Sequence, residues 1–348
     1  MNSVVRYALK RTRLSDLRHF LVTYFTPLMT LTRPSSSQYH LRMSTSAKTG
    51  LLAAFILTLR PKQWSKNLLV FMALFFTVER AWNLTNVETA LDLFARTAAA
   101  FLLFCTLSGV VYIVNDLMDR EEDRRHPKKR HRPIASGALP IPVAIVAAVV
   151  ISVPALVASY LLEPLFGFIT LVYLAAMLLY SFGLKRVVLV DVFTISGGFI
   201  LRAVAGAVVI GSPISPWLYI CTGLAAVFVV LSKRRAELAV AGDQAQGQRD
   251  ILRTYTLPVL DQLITVAASA ALVAYTLYTV ASENLPDNHA MLLTAPFVVY
   301  GLFRYLYLVR RKDLGETPED IILTDAPLII AIVLWLATAG AVLIAFRG

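Results

Sequence analysis

The chain has 348 residues, a formal net charge of +11, and 57% hydrophobic against 16% charged residues. Soluble domains carry roughly 25% charged residues, so a soluble enzyme is excluded as a first reading, and the apolar content excludes a disordered basic tail. A nucleic-acid binder needs a polar, basic face, whereas here the basic residues sit between long apolar runs, so the expected partner is membrane lipid and no nucleic acid.

Residues 1–48 differ from the rest, with eight Lys/Arg and one acid, Asp16. No uncharged run there reaches the ~20 residues that span a bilayer. The segment superficially matches a transit peptide. Other readings are a basic juxtamembrane arm on anionic lipid and translation from Met43. We favour residues 1–49 as a disordered or interfacial cytoplasmic arm without a catalytic role, and residues 50–348 as one catalytic membrane domain.

From Gly50 onward the chain alternates apolar segments with short polar ones. The pattern predicts an all-α polytopic bundle of nine transmembrane helices, at about 61–79, 97–115, 139–160, 164–183, 188–210, 215–232, 260–282, 290–309 and 325–346. Helices are required because lipid cannot satisfy open backbone groups. Gly211-Ser212-Pro213-Ile214-Ser215-Pro216 breaks one apolar stretch into a helical hairpin. Cys105 and Cys221 lie inside apolar runs, where small buried hydrophobes are expected rather than a disulfide or zinc site.

The loops set the orientation. Twenty of the 25 Lys/Arg beyond residue 48 fall in one set of alternating loops. Nine spans with that bias place the N-terminus in the cytosol and the C-terminus outside.

The first polar loop reads Asn115-Asp116-Leu117-Met118-Asp119-Arg120-Glu121-Glu122-Asp123. If the second span continues as a helix, Asn115, Asp119 and Asp123 stand at i, i+4 and i+8, with Asp116 on the neighbouring row. Like charges at that spacing repel unless a cation binds. Mg2+ suits the array, because it takes oxygen ligands and completes its shell with water and substrate phosphates. A solvated charged loop is the plain alternative. Next come His126-Pro127-Lys128-Lys129-Arg130-His131-Arg132-Pro133. Carboxylates for a metal followed by a cationic cluster would serve a diphosphate.

Asn115-Asp116-x-x-Asp119-x-x-x-Asp123, followed by Lys129-x-x-Arg132-Pro133, resembles the first aspartate motif of the UbiA-type intramembrane prenyltransferase superfamily. Tyr180 to Lys185 resembles the family's Tyr-x-x-x-x-Lys element. The resemblance covers roughly residues 55–346 and implies a nine-helix bundle with a cavity open to the cytoplasm. A narrower group is similar through Arg60-Pro61-Lys62-Gln63-Trp64-Ser65-Lys66-Asn67, Leu201-Arg202-Ala203, Lys233-Arg234-Arg235-Ala236-Glu237-Leu238 and Pro318-Glu319-Asp320. This group is the decaprenyl-phosphate 5-phosphoribosyltransferases. Likeness to it implies phosphoribosyl pyrophosphate and a polyprenyl phosphate as substrates, Mg2+ as cofactor, and a bacterial plasma membrane. Aromatic prenyltransferases usually show a second Asp-x-x-x-Asp, where this chain has Glu237 and Ala241, with Asp243 out of register.

On that resemblance, Asn115, Asp116, Asp119 and Asp123 are the candidate metal and donor ligands. Glu237 would orient the ribose or a metal-bound water, and Tyr180 would hydrogen-bond near the reacting carbon. Lys66, Asn67, Lys129, Arg130, Arg132, Lys185, Lys233 and Arg234 are candidates for the substrate phosphates, although each Lys or Arg could equally set topology alone. Arg202 lies mid-span, where an unpaired Arg costs at least ~2.5–3.5 kcal/mol. It should face the bundle interior, towards the acceptor phosphate or a carboxylate such as Asp191. Gly198, Arg202 and Gly206 share one face, and glycine permits close helix approach.

Two rivals are polyprenyl transfer to an aromatic acceptor and a transporter. A transporter would place polar groups at the midplane in broken helices, whereas the charges here gather at one face. Oligomeric state, homo-oligomer included, is left open.

Overall fold

A computed structural model describes residues 50–83, 85–213, 216–241, 254–282, 285–312 and 318–347. The basic arm 1–49 and Asp243 lie outside the described residues. The named secondary-structure elements among the described residues are all helices. The elements are α1 (Leu51–Thr58), a 3-10 helix (Pro61–Phe71) running into α2 (Met72–Phe76), α3 (Val87–Met118), α4 (Arg120–Arg125), α5 (Pro133–Ser136), α6 (Ile141–Leu162), α7 (Pro164–Phe182), α8 (Val190–Val209), α9 (Pro216–Ala241), α10 (Leu257–Ala281), α11 (Ala295–Lys312), α12 (Pro318–Thr324) and α13 (Ala326–Arg347). Seven helices among the described residues are long and apolar enough to cross a bilayer: α3, α6, α7, α8, α10, α11 with its 3-10 lead-in, and α13. The all-α membrane bundle is as expected, and the count of nine is approximate.

Chain breakers set the boundaries. Asn86 caps α3, its side-chain oxygen accepting from Thr89 N at 3.2 Å. Pro164 opens α7 directly after Glu163. Helix α8 stops at Gly211, which takes φ +64°. There Ser212 N donates to Ala207 O at 2.9 Å and Gly211 N to Val208 O at 3.0 Å. These two bonds form a Schellman stop, which glycine's freedom at positive φ permits.

Two segments depart from the sequence expectation. The span expected at 61–79 is not one α-helix but eleven residues of 3-10 helix followed by a five-residue α-helix. Its tighter winding lets the Val70 carbonyl press on α8, where a Cβ on Gly206 would lie 2.0 Å from Val70 O. Gly206 thus gives the close approach its sequence position suggested. The segment 233–241, expected as polar loop, is instead the end of α9. Arg234 pairs with Asp191 and Glu237, and Arg235 with Asp261, so the charged turns find partners that keep them helical.

The larger core joins α3, α6, α7 and α8 around Phe104, Phe166 and Tyr173. The ring centroids of Phe104 and Tyr173 are 5.3 Å apart, edge to face. A second core joins α8, α9, α10 and α11 around Phe228, Leu260 and Tyr305.

Candidate active site at the charged end of the bundle

Helix α3 bends at Asp119 (φ −90°, ψ 5°) and restarts as α4. The backbone ladder survives the bend: Asp119 N donates to Asn115 O at 2.9 Å, and Asp123 N to Asp119 O at 2.8 Å. Asn115, Asp119 and Asp123 therefore stand on successive turns. Asp116, Asp119 and Asp123 are 2%, 7% and 3% exposed. Three carboxylates buried this deeply are tolerable only if paired. Arg132 Nη1 donates to Asp116 Oδ1 at 3.1 Å and to Asp123 Oδ2 at 2.7 Å. Arg60 also pairs with Asp116, and Lys185 with Asp119. Asn115 Nδ2 donates to Asp119 Oδ2 at 3.1 Å. Three acids are thus matched by three cations drawn from the 3-10 N-terminus, the loop before α5, and the end of α7.

Arg60 joins the site although its sequence position alone does not single it out. It adopts φ 52°, a left-handed conformation that costs a non-glycine residue about 1–2 kcal/mol. Its guanidinium lies 4.7 Å from the Tyr112 ring centroid, and the pairing with Asp116 fixes the turn. Arg60 stood within a motif stretch, but no local pattern tied it to Asp116.

The basic loop separates into two kinds of residue. Arg132 is locked onto the acids, and Arg130 is exposed with Nε donating to His131 Nε2 at 3.3 Å. Lys129 is half-buried. His126 shapes the turn: its Nδ1 accepts from the backbone N of Lys128 and Lys129 at 3.2 and 3.3 Å. Burial first, and then the Lys129 charge, push the His126 imidazole below its ordinary pKa.

A second cluster lies on α9. Arg234 is 1% exposed. Its Nε donates to Asp191 Oδ2 at 2.7 Å, Nη1 to Glu237 Oε2 at 2.6 Å, and Nη2 to Tyr180 OH at 3.2 Å. Arg234 therefore ties Asp191, Glu237 and Tyr180 together, and Asp191 is the partner of Arg234, not of Arg202. Lys233 is half-buried beside it. The end of α7 joins the two clusters: Tyr180 touches Arg234, and Lys185, just beyond the helix, touches Asp119.

Asn67 and Arg202 meet deeper in the bundle. Arg202 is 6% exposed. It donates to Asn67 Oδ1 at 2.6 Å, Gly198 O at 2.7 Å and Tyr173 OH at 2.7 Å. The Tyr173 ring lies 4.7 Å from its Cζ. Arg202 thus faces inward, and its partners among the described residues are neutral oxygens and rings rather than a carboxylate. Asn67 and Tyr173 are committed to holding it. Arg304 makes a two-pronged contact with Asp325 at 3.0 and 2.9 Å.

A cavity of about 610 Å³ runs between the 3-10 segment, α8, α9, α10, α11 and α13. Ser65 and Lys66 line its charged end, and Arg80 and Ser212 its opposite end, with Phe76, Phe199, Tyr278 and Trp335 between. Lys66, two 3-10 turns from Arg60, donates to Gln63. The aspartates are not among the lining residues; the 3-10 segment links the two, its N-terminal Arg60 pairing with Asp116 and its Lys66 lining the cavity.

No three His, Cys, Asp or Glu among the described residues converge to cage a metal alone. That does not exclude magnesium, which takes one or two carboxylates and draws the rest of its shell from water and phosphate. The oxygen donors of Asn115, Asp116, Asp119 and Asp123 fit that chemistry.

Residues 69–319 match the UbiA prenyltransferase family. The chain belongs to this family. It is 34% identical over 297 residues to decaprenyl-phosphate phosphoribosyltransferase of Mycobacterium tuberculosis, covering 85% of this chain and 96% of that protein. To the Mycolicibacterium smegmatis protein of the same name it is 34% identical over 303 residues, covering 84% and 93%. Among solved structures, a UbiA homologue from Archaeoglobus fulgidus bound to GPP and Mg2+ superposes with a TM-score of 0.63 at 17% identity, over 83% of this chain and 99% of the other. That likeness speaks to the fold. This UbiA-family chain is accordingly a membrane-embedded transferase.

Proposed function

We propose that the chain transfers 5-phosphoribose from phosphoribosyl pyrophosphate to a polyprenyl phosphate, with Mg2+, releasing diphosphate. The observation that carries this reading is the asymmetry of the two clusters. One holds three carboxylates and three cations, whereas the other presents Glu237 restrained by a buried Arg234. An aromatic acceptor must be activated as a carbon nucleophile. A polyprenyl phosphate is already an anion at neutral pH and needs no general base. The names of the 34%-identical relatives support the same choice.

In this reaction the bond from ribose C1 to the diphosphate oxygen breaks, and one forms from C1 to an oxygen of the lipid phosphate. Charge develops on the leaving diphosphate and on an oxocarbenium-like C1. Magnesium, held by Asp116, Asp119, Asp123 and Asn115, would supply charge neutralisation for the diphosphate. Arg60, Arg132 and Lys185 already face these carboxylates and would turn donors towards phosphate oxygens. Lys129, Arg130 and Lys66 would receive further phosphate oxygens at the mouth. Glu237 and Tyr180 would orient the ribose. The polyprenyl chain would occupy the apolar cavity beyond Lys66. The charged end would face the cytoplasm of a bacterial plasma membrane, where the water-soluble donor would enter, with the N-terminus on that side.

The test is an assay of purified protein with labelled phosphoribosyl pyrophosphate, polyprenyl phosphate and Mg2+. Label in the lipid fraction is expected. Turnover of a polyprenyl diphosphate with 4-hydroxybenzoate, and no labelled lipid phosphate, would refute the proposal.

A further inference from the structure

A second carboxylate stands behind Glu237. Asp191 lies in the first turn of α8 and is 0% exposed. It receives Arg234 Nε on Oδ2 at 2.7 Å and the Tyr255 hydroxyl on Oδ1 at 3.2 Å. Tyr255 is itself anchored, because Leu189 N donates to its hydroxyl at 2.8 Å. Leu189 holds φ 65°, so the turn into α8 is set by this contact. From Arg234 the chain of contacts continues to Glu237 and Tyr180.

The charges sort by depth. One guanidinium meets two carboxylates, and the Asp191 side chain is 0% exposed against 22% for Glu237. Both carboxylates grip the same guanidinium, the inner one through Nε and the outer one through Nη1, so the buried pair sets where Glu237 stands on the accessible side. We propose that Asp191 is a positioning residue: it holds Arg234, which in turn fixes the Glu237 carboxylate and the Tyr180 hydroxyl for a magnesium–diphosphate donor. Without Asp191 the Arg234 Nε loses its carboxylate partner, the guanidinium is free to turn, and Glu237 and Tyr180 move with it. The inference rests on the placement of Glu237 at the donor site in the proposed function, but not on which diphosphate is the donor.

The experiment uses the full chain in nanodiscs, with inorganic pyrophosphate as probe and Mg2+ as titrant. Asp191→Asn is expected to raise the Mg2+ concentration for half-maximal pyrophosphate binding roughly tenfold, the size of one charge-assisted hydrogen bond. On a Glu237→Gln background the same substitution is expected to have little effect. Tyr255→Phe removes one donor to Asp191 and should shift the midpoint in the same direction by less; it carries the test if Asp191→Asn does not fold. A shift of equal size with and without Glu237 marks a merely structural role and overturns the proposal, as does no shift. Wild-type protein that binds magnesium pyrophosphate yet labels no lipid overturns phosphoribosyl transfer and leaves the positioning role standing. Wild-type protein that binds no pyrophosphate overturns both.

Discussion

Lys185 and Asp119 bury their side chains to 7% and 9% exposure and pair with each other. Replacing Lys185 with Met keeps the volume and removes the charge. Asp119 is then left with the Asn115 amide at 3.1 Å, which is a neutral donor. Breaking a buried pair from one side costs about 3–5 kcal/mol. At roughly 2–4 °C per kcal/mol, the unfolding midpoint of Lys185→Met should fall by about 6–20 °C. Asp119→Asn strands the ammonium and should cost a similar amount. In Lys185→Met/Asp119→Asn neither charge remains, and a buried pair replaced as a unit is often close to neutral. The double variant should therefore recover most of the lost stability, with a coupling energy of at least ~2 kcal/mol in the cycle. Thermal unfolding in one detergent or nanodisc preparation measures all four proteins. All three variants should lack transferase activity, because both residues belong to the donor site proposed above, so stability and activity separate in the double variant. Additive losses would refute the assignment of a desolvated, mutually dependent pair.

Asp116→Asn should abolish transfer with the protein still folded, because Arg60 and Arg132 are 25% and 27% exposed and keep access to water; near-normal turnover would remove the metal-site reading. Gly206→Ala should destabilise by about 1–3 kcal/mol or more, because its Cβ meets backbone at 2.0 Å, whereas Gly197→Ala, with nothing within 4 Å, should be neutral in the same unfolding assay. Arg202→Lys replaces a planar fork with a point donor and should lower the unfolding midpoint, since one ammonium cannot reproduce the bonds to Asn67, Gly198 and Tyr173; an unchanged midpoint would contradict the described network. For His126 the folded state favours the neutral ring. The unfolded chain therefore takes up a proton first, and stability should fall as pH drops below roughly 6.5. His126→Asn should flatten that part of a stability–pH profile, and an unaltered slope would count against the assignment.

Local periodicity made the acidic array legible. Asn115, Asp119 and Asp123 follow from the repeat of one helix, and the bend at Asp119 leaves that repeat intact. The helical hairpin at Gly211 was equally plain, because turn chemistry is written in consecutive residues. Partners far apart in sequence were not legible. Arg60 reaches Asp116 across 56 positions, and Asn67 reaches Arg202 across 135. Those pairings exist only after the bundle has packed, and many Lys or Arg shared the same charge pattern. The 3-10 winding of 61–71 was hidden for a similar reason. Its apolar pattern suits either helix, and the approach to Gly206 lies on another element. The full length of α9 is not legible either, because its charged last turns look solvated until Asp191 and Asp261 are placed against them.

The polarity of α3 fixes how deep the chemistry lies. Its stretch from Thr97 to Val114 carries no charged side chain and rises about 27 Å at ~1.5 Å per residue, close to the ~30 Å hydrocarbon thickness of a bilayer. Asp116 follows two residues later, so the acids stand at the level of the lipid headgroups rather than out in the aqueous phase. A phosphorylated lipid already carries its phosphate at that depth. The acceptor proposed above could then reach the site by sideways diffusion within its leaflet, with its tail still in an apolar medium. Lifting the tail into water would cost about 0.8 kcal/mol for each methylene, and this geometry never asks for it.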